Sequence, residues 1–425
     1  MSASPQFIIL DQSLTNADGH HYDMGRRVAE AATTFGLAPR VAANRAFDTG
    51  LPFDEAPVDR WFSQTWVDAH QTKTVQAARR VIEAFPRALQ PMLLSTAGRV
   101  RQMLVSSNDT PTAPPPFGAE AVAYLQAQNT QAGDHALVHT LAGAELNALC
   151  EALSAADVHA RVHIVLRRDA DEPVMSRGVP GGYSALLARM AEHSRLSSQL
   201  HLYTDTEALT SQHRALETRL TFQTLPIPIP PIMTDIADAP RAPGPLRLVY
   251  LGNARSEKGF QALPDAMQAL RASGLPPTDL IAQANSNTSL TEDVIEDARR
   301  RLRAMNNVRL IATPLGSSDY ARLLATADLI LLPYNATDYR RRSSGILIEA
   351  LAAGKPVVVP DESWLSDTAP GNCAATFRGY SAFGTAIAQA VQNIDALSAA
   401  ARAGANIWRS RHSPRALVQM LLDNA

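Results

Sequence analysis

Short apolar runs alternate along the chain with longer segments whose apolar residues recur every three or four positions. Phe7-Ile8-Ile9-Leu10 is the first run, and it ends in a polar loop from Asp11 to Gly19. A helical pattern starts near His20, with Met24, Val28 and Ala32 at four-residue spacing. Strand, Gly-containing loop and helix open a βαβ unit, and Ala38–Ala43 predicts the next strand. Residues 52–105 predict helices, with Trp61, Trp66, Val75, Ala78, Val81, Ile82 and Phe85 buried. The alternation then continues: helix Ala119–Ala127, strand Ala136–His139, helix Ala144–Leu153, strand Val162–Leu166, helix Tyr183–His193, strand Leu200–Tyr203 and helix Thr206–Leu216.

Proline interrupts the rhythm twice. Pro111, Pro114, Pro115 and Pro116 predict a loop or rigid turn. Residues 226–245 hold Pro226, Pro228, Pro230, Pro231, Pro240, Pro243 and Pro245, too dense for a helix or central strand, and predict an interdomain linker. A second α/β series follows: strand Leu246–Leu251, helix Lys258–Ala272, strand Leu280–Ala282 and helix Thr291–Met305, the last with Ser289 and Glu292 placed as a capping box. Strand Val308–Ile311, helix Tyr320–Ala325, strand Leu329–Leu332, helix Gly345–Ala353 and strand Pro356–Val359 come next, with helices from Phe383 onward. The expected division is therefore 1–225, a linker 226–245, a second α/β domain 246–405, and a closing segment 406–425 containing a helix from Ile407 to Leu422.

Composition narrows the classes. The 425 residues are 46% hydrophobic and 19% charged, a balance that excludes a disordered chain. Lys plus Arg is 39 against 41 for Asp plus Glu, a net charge of −2, which argues against nucleic acid as a partner. Two cysteines, Cys150 and Cys373, exclude a disulfide framework and a Cys-rich zinc site. No apolar run reaches the ~18 residues of a membrane span, and Met1–Pro5 has no basic leader, so the expectation is a cytoplasmic protein. Peripheral contact with the inner membrane face stays open, since Trp61 and Trp66 fit either a membrane-facing helix or ordinary core.

In parallel sheets ligands bind beyond the carboxyl ends of the strands, so the chemistry is sought there. After the strand near Leu332, Arg340-Arg341-Arg342-Ser343-Ser344-Gly345 precedes the helix from Gly345. Ser344 and Gly345 put backbone amides at a helix N-terminus, where the dipole favours phosphate, and Arg342, with Arg341 beside it, can grip phosphate. Glu349 sits one turn into an otherwise apolar helix, where a carboxylate can hold ribose hydroxyls. After the strand near Tyr250, Gly252 allows a tight turn, while Arg255 and Lys258 supply two cations that could stabilise a departing diphosphate. Gly354-Lys355 is not a P-loop, because Pro356 follows and a helix ends there.

The first half offers weaker candidates. Gly19 can bring backbone near phosphate, with His20 or His21 beside it, and His139 ends a strand where a general base or a sugar hydrogen bond belongs. A structural histidine is an equal reading of His139. His159 and His163 flank a strand without a third ligand, and Asp169-Ala170-Asp171 reads as a loop, so no metal site is expected.

Leu251-Gly252-Asn253-Ala254-Arg255-Ser256-Glu257-Lys258-Gly259-Phe260, Ala327 to Tyr334, and Ser344 to Val358 together resemble the donor half of GT-B glycosyltransferases of family 4, the group 1 transferases. Asp18-Gly19-His20-His21-Tyr22 and Leu225-Pro226-Ile227-Pro228 are similar, more loosely, to that family's first Gly-rich loop and its hinge. The resemblance implies the GT-B fold, two Rossmann-like domains facing a central cleft. It implies a nucleotide-diphosphate-sugar donor as substrate, no cofactor, metal-independent transfer, and a glycan, lipid-linked glycan or protein as acceptor. By position, Glu349 matches the residue holding the donor ribose, Arg255 and Lys258 the diphosphate pair, and Ser344 and Gly345 the amides meeting phosphate. The family's first glutamate falls on Arg341 and its arginine after the glycine falls on Asn253, with Arg255 two residues later. A GT-B sugar-nucleotide epimerase and a catalytically silent, nucleotide-sugar-binding relative remain alternatives.

Overall fold

The computed structural model describes residues 4–17, 20–66, 116–230, 244–285 and 292–424, with His20 in its backbone alone. The helices expected within 67–105, the loop around Pro111, most of the expected linker, Gly19 and Ser289 lie outside the described residues. The chain divides into two units. One comprises the described residues up to Pro228 and the C-terminal segment from Ser413, and the other runs from Ile229 to His412.

The first unit is built on seven strands: β1 Gln6–Leu10, β2 Ala38–Asn44, β3 Val58–Phe62, β4 His135–Val138, β5 Arg161–Leu166, β6 Leu200–Thr204 and β7 Phe222–Thr224. All pair in parallel in the order β3-β2-β1-β4-β5-β6-β7. The order reverses between β1 and β4, so the crossovers before and after leave the sheet in opposite directions there. Strands buried on both faces read as continuous apolar runs, which is why Phe7 to Leu10 are all at most 1% exposed.

Helices cover both faces. Phe117–Ala127 and Gly143–Ala155 pack with β1, β4 and β5 through Phe117, Leu125, Leu146, Leu149 and Ile164. His20–Thr33 covers the other face with the C-terminal helix Pro414–Asp423, whose Leu417, Val418 and Leu421 enter the cluster of Phe7, Ile9 and Val28.

The second unit has six parallel strands: β8 Leu246–Tyr250, β9 Thr278–Gln283, β10 Val308–Ile311, β11 Leu329–Leu331, β12 Val357–Pro360 and β13 Ala374–Phe377. Their order is β10-β9-β8-β11-β12-β13, with the reversal between β8 and β11. Leu248, Tyr250, Phe260, Leu280, Leu329, Val358 and Phe383 lie in one buried cluster.

Besides the strands β7 and β13, absent from the sequence expectation, several elements differ from it. Val58–Phe62 is a strand rather than part of a helical region; Val58, Trp61 and Phe62 are β-formers, and pairing with β2 decides the outcome. The helix expected from Lys258 begins at Leu263, because Gly259 takes φ +70 and splits the segment into short 3-10 turns. The helix after Glu292 runs from Asp293 to Arg303, and the Glu292 carboxylate accepts from the Ser256 amide at 3.3 Å. The expected helix Ile407–Leu422 is two helices, because Ser413 caps the Ala416 amide at 3.1 Å and Pro414 begins a new first turn.

Candidate functional site

Two polar clusters form, one at the strand-order reversal of each sheet. In the second unit the loop after β8 is braced from the side. The Gly252 amide donates to Gln283 Oε1 at 2.8 Å, the Ala254 amide to the Asn285 carbonyl at 2.8 Å, and Asn285 Nδ2 to Asn253 Oδ1 at 2.8 Å. Gly259 permits the closest approach: a Cβ there would lie 1.6 Å from the Pro333 carbonyl oxygen, in the loop after β11. The Asn335 amide donates to the Glu257 carbonyl at 2.9 Å, which ties the loops after β8 and β11 together.

This bracing gathers the charged side chains. Lys258 Nζ lies over the Tyr334 ring, 5.5 Å from its centroid, and 3.0 Å from where a Cβ on Gly252 would stand. Burial lowers its pKa to about 8; Arg255 and Arg342 push the same way, and Glu257 and Glu349 partly oppose them. Arg255 Nη1 is 3.5 Å from Glu257 Oε1, and Arg342 Nη1 is 3.9 Å from Glu257 Oε2 with its guanidinium 5.0 Å from the Tyr339 centroid. Arg255 Nε is buried and finds no hydrogen-bond partner among the described residues. Two arginines thus share one glutamate, with the Lys258 ammonium close enough to feel both signs of charge.

The helix Gly345–Ala352 begins at the same place. Ser344 caps it, its Oγ accepting from the Leu347 amide at 3.3 Å. The Gly345 and Ile346 amides precede any helical acceptor and point out of the first turn. A Cβ on Gly345 would meet open space. Glu349 is the carboxylate of this helix, and the Tyr320 hydroxyl donates to its Oε2. Its apolar neighbours therefore do not leave it unpaired.

The first unit's cluster is of another kind. Asp11 directly follows β1 and is 4% exposed, and His139 directly follows β4 and is 1% exposed. Asp11 Oδ2 stands 2.9 Å from His139 Nε2 and 2.9 Å from Nδ1 of His21, in the first turn of the helix His20–Thr33. Ser13 donates its amide to Asp11 Oδ1 at 3.0 Å, and Thr140 Oγ1 lies 3.2 Å from His139 Nδ1. Burial alone would raise the Asp11 pKa, but the two imidazoles outweigh it and hold the carboxyl well below its ordinary range. Burial lowers that of His139, with Asp11 opposing.

The expected residues thus separate into two groups. Gly252, Arg255, Lys258, Arg342, Ser344, Gly345 and Glu349 come together in the second unit. His139 stands in the first unit, with Nε2 beside Asp11 Oδ2 and Nδ1 beside Thr140 Oγ1. Gly19 and the His20 side chain lie outside the described residues. Asp169 and Asp171 form the expected turn, tied by Gln212 Nε2 at 2.6 and 3.0 Å. Sequence reasoning missed Asp11, although it is the first residue past the first apolar run, and it missed Glu257 and Tyr320, whose roles arise only from pairing across loops.

Comparisons with known proteins bear on the fold and on the second unit's family. Residues 245–393 match the family described as Glycosyl transferases group 1. No curated protein sequence matches the chain. Solved structures similar in fold include a glycosyltransferase from Rickettsia africae (TM-score 0.62, 11% identity, covering 99% of this chain and 98% of that one). Sucrose-phosphate synthase from Thermosynechococcus elongatus is similar at TM-score 0.62 and 14% identity, covering 98% of each chain. HepE of Anabaena, solved in complex with UDP and glucose, is similar at TM-score 0.61 and 14% identity, covering 99% of this chain and 98% of that one. No described helix is long and apolar enough to cross a membrane. The chain has the GT-B fold of glycosyltransferases, and its residues 245–393 match the group 1 glycosyltransferase family.

Proposed function

We propose that the protein transfers a sugar from a nucleotide-diphosphate-sugar donor to a hydroxyl of a glycan, lipid-linked glycan or protein acceptor. The observation that carries this reading is the pairing of Arg255 and Arg342 with the single carboxylate of Glu257, with the Lys258 ammonium within their field and the helix start at Ser344 and Gly345 in the same unit. A donor diphosphate would take the place that Glu257 fills only in part. Glu349, held by Tyr320, would accept hydroxyl hydrogen bonds from the ribose.

Transfer breaks the bond between the sugar and the diphosphate, leaving negative charge on the departing nucleoside diphosphate. Arg255, Lys258, Arg342 and the helix-start amides are fixed before that charge develops, so they stabilise it with little reorganisation. In this reading the charge on the leaving group is met by side chains and amides rather than by a metal ion. That HepE was solved with UDP and glucose, in a similar fold, supports a uridine nucleotide as the first donor to try.

The test is thermal unfolding with a panel of nucleotide-sugars. A true donor raises the midpoint with concentration, and ~100-fold excess over Kd contributes about 2.7 kcal/mol. Incubation of that donor with and without acceptor extracts then separates transfer from a one-substrate epimerase. No stabilisation by any nucleotide-sugar would defeat the reading.

A further inference from the structure

The cluster at the strand-order reversal of the first unit takes no part in the donor reading, and its donor atoms are an oxygen and two imidazole nitrogens. Asp11 Oδ2 is 2.9 Å from both His21 Nδ1 and His139 Nε2, and one atom from each of the three residues lies within 4.8 Å of the others. Ligands at ~2.0–2.1 Å from a tetrahedral ion stand about 3.3–3.4 Å apart, so each imidazole would draw back by about 0.4 Å from Asp11 Oδ2 to admit one.

Two further features belong to ion binding. The outer nitrogen of His139, Nδ1, lies 3.2 Å from Thr140 Oγ1, which orients the ring, and an incoming ion would displace the proton that Nε2 shares with Asp11 Oδ2. The second oxygen of Asp11 is held by the Ser13 amide at 3.0 Å, so the carboxylate cannot swing away. Each residue is set by a regular element: Asp11 and His139 by the carboxyl ends of the neighbouring strands β1 and β4, His21 by the first turn of its helix.

We propose that Asp11, His21 and His139 form a binding site for a divalent transition-metal ion of the zinc class. Two imidazoles and one carboxylate are the donor set that zinc and its neighbours favour over magnesium or calcium. Asp11 and His139 close the site from the protein side with side chains 3% and 1% exposed, while His21 at 19% leaves an open flank. Three protein ligands leave a fourth position for water or for a hydroxyl of a bound molecule. Arg167, close enough to oppose protonation of His139, is 3.9 Å from Asp205, which offsets its repulsion of a cation. The proposal departs from the expectation of no metal, which weighed the cysteines, His159 with His163, and Asp169 with Asp171, and had no means of joining residues 128 apart in sequence.

The experiment uses the full chain, stripped with chelator and titrated with Zn2+ or Mg2+ alone by calorimetry, with bound metal counted by mass spectrometry. The expected result is one equivalent of Zn2+, at least ~100-fold tighter than Mg2+. His21→Ala, at the partly exposed position, and Asp11→Asn, of equal shape, are expected to lose at least ~10-fold in Zn2+ affinity while keeping wild-type circular dichroism. Lys258→Ala, in the other unit, is expected to bind Zn2+ as wild type does. Absence of a stoichiometric Zn2+ site, equal affinity for Mg2+, or binding retained in both His21→Ala and Asp11→Asn overturns the proposal. Nucleotide-sugar stabilisation, read on the same samples, reports separately on the donor reading.

Discussion

The two sheets share one construction and differ in what they hold where strand order reverses. Each is all parallel, each has its switch beside its first strand, and each places polar residues just past two neighbouring strands. Past β1 and β4 stand a buried carboxylate and two imidazoles in mutual contact. Past β8 and β11 stand two arginines paired with one glutamate and a buried lysine beside them. Parallel strands of one sheet direct successive residues to the same edge, so the scaffold supplies position while a few side chains choose the sign of the ligand.

The largest way to break this contrast is to remove the second unit's charge. Lys258→Ala is expected to slow transfer by ~10²–10³-fold, as loss of one fixed group at a developing charge does. Glu349→Ala is expected to weaken donor binding as well as rate. If steady-state assays with the identified donor show neither effect, the anion site lies elsewhere.

Next in size is a backbone test. Gly259→Ala forces a left-handed residue, which costs ~1–2 kcal/mol, and drives its Cβ into the Pro333 carbonyl. Chemical denaturation is expected to show the second unit losing more than that amount. An unchanged midpoint would mean that the loops after β8 and β11 are not locked together.

A third test acts on the first unit alone. His135, His163 and His201 stack across β4, β5 and β6, with His135 Nδ1 2.9 Å from His163 Nε2 and ring centroids 5.2 and 5.1 Å apart. Burial lowers the pKa of His135 to about 4, holds His163 well below its ordinary value and lowers His201. The unfolded chain then binds more protons than the folded one below about pH 6.5. Stability is accordingly full above that pH and falls on acidification toward pH 4, by up to ~1.4 kcal/mol per pH unit for each histidine. Urea midpoints between pH 4 and 8 measure it; the first unit should soften in acid before the second.

The smallest expected effect is protonic. With a pKa of about 8, Lys258 is partly neutral in mildly basic solution, and a bound diphosphate favours its charged form. Donor binding at pH 8 should take up a fraction of a proton, visible as buffer-dependent heat and lost in Lys258→Ala. Affinity should decline as pH rises past 8.

The second unit was more legible than the first because its chemistry is contiguous. Gly252 to Gly259 and Ser344 to Glu349 lie within single turns of a strand–loop–helix motif, where local spacing carries the meaning. Asp11 and His139 are 128 residues apart and meet only because β1 and β4 pair, and nothing in either local segment announces the other. The strands β3, β7 and β13 were missed for a related reason: each is short, at or near a sheet edge, and depends on its neighbour for pairing.

The sequence by itself determined the α/β alternation, most of the apolar strands and the cation-rich loops of the second unit, because periodicity and turn chemistry act over a few residues. Tertiary structure alone decided that Glu257 ties Arg255 to Arg342, that Tyr320 holds Glu349, and that an aspartate and two histidines share one buried point. Those contacts depend on strand order, and strand order follows from how long-range crossovers pack rather than from any local pattern.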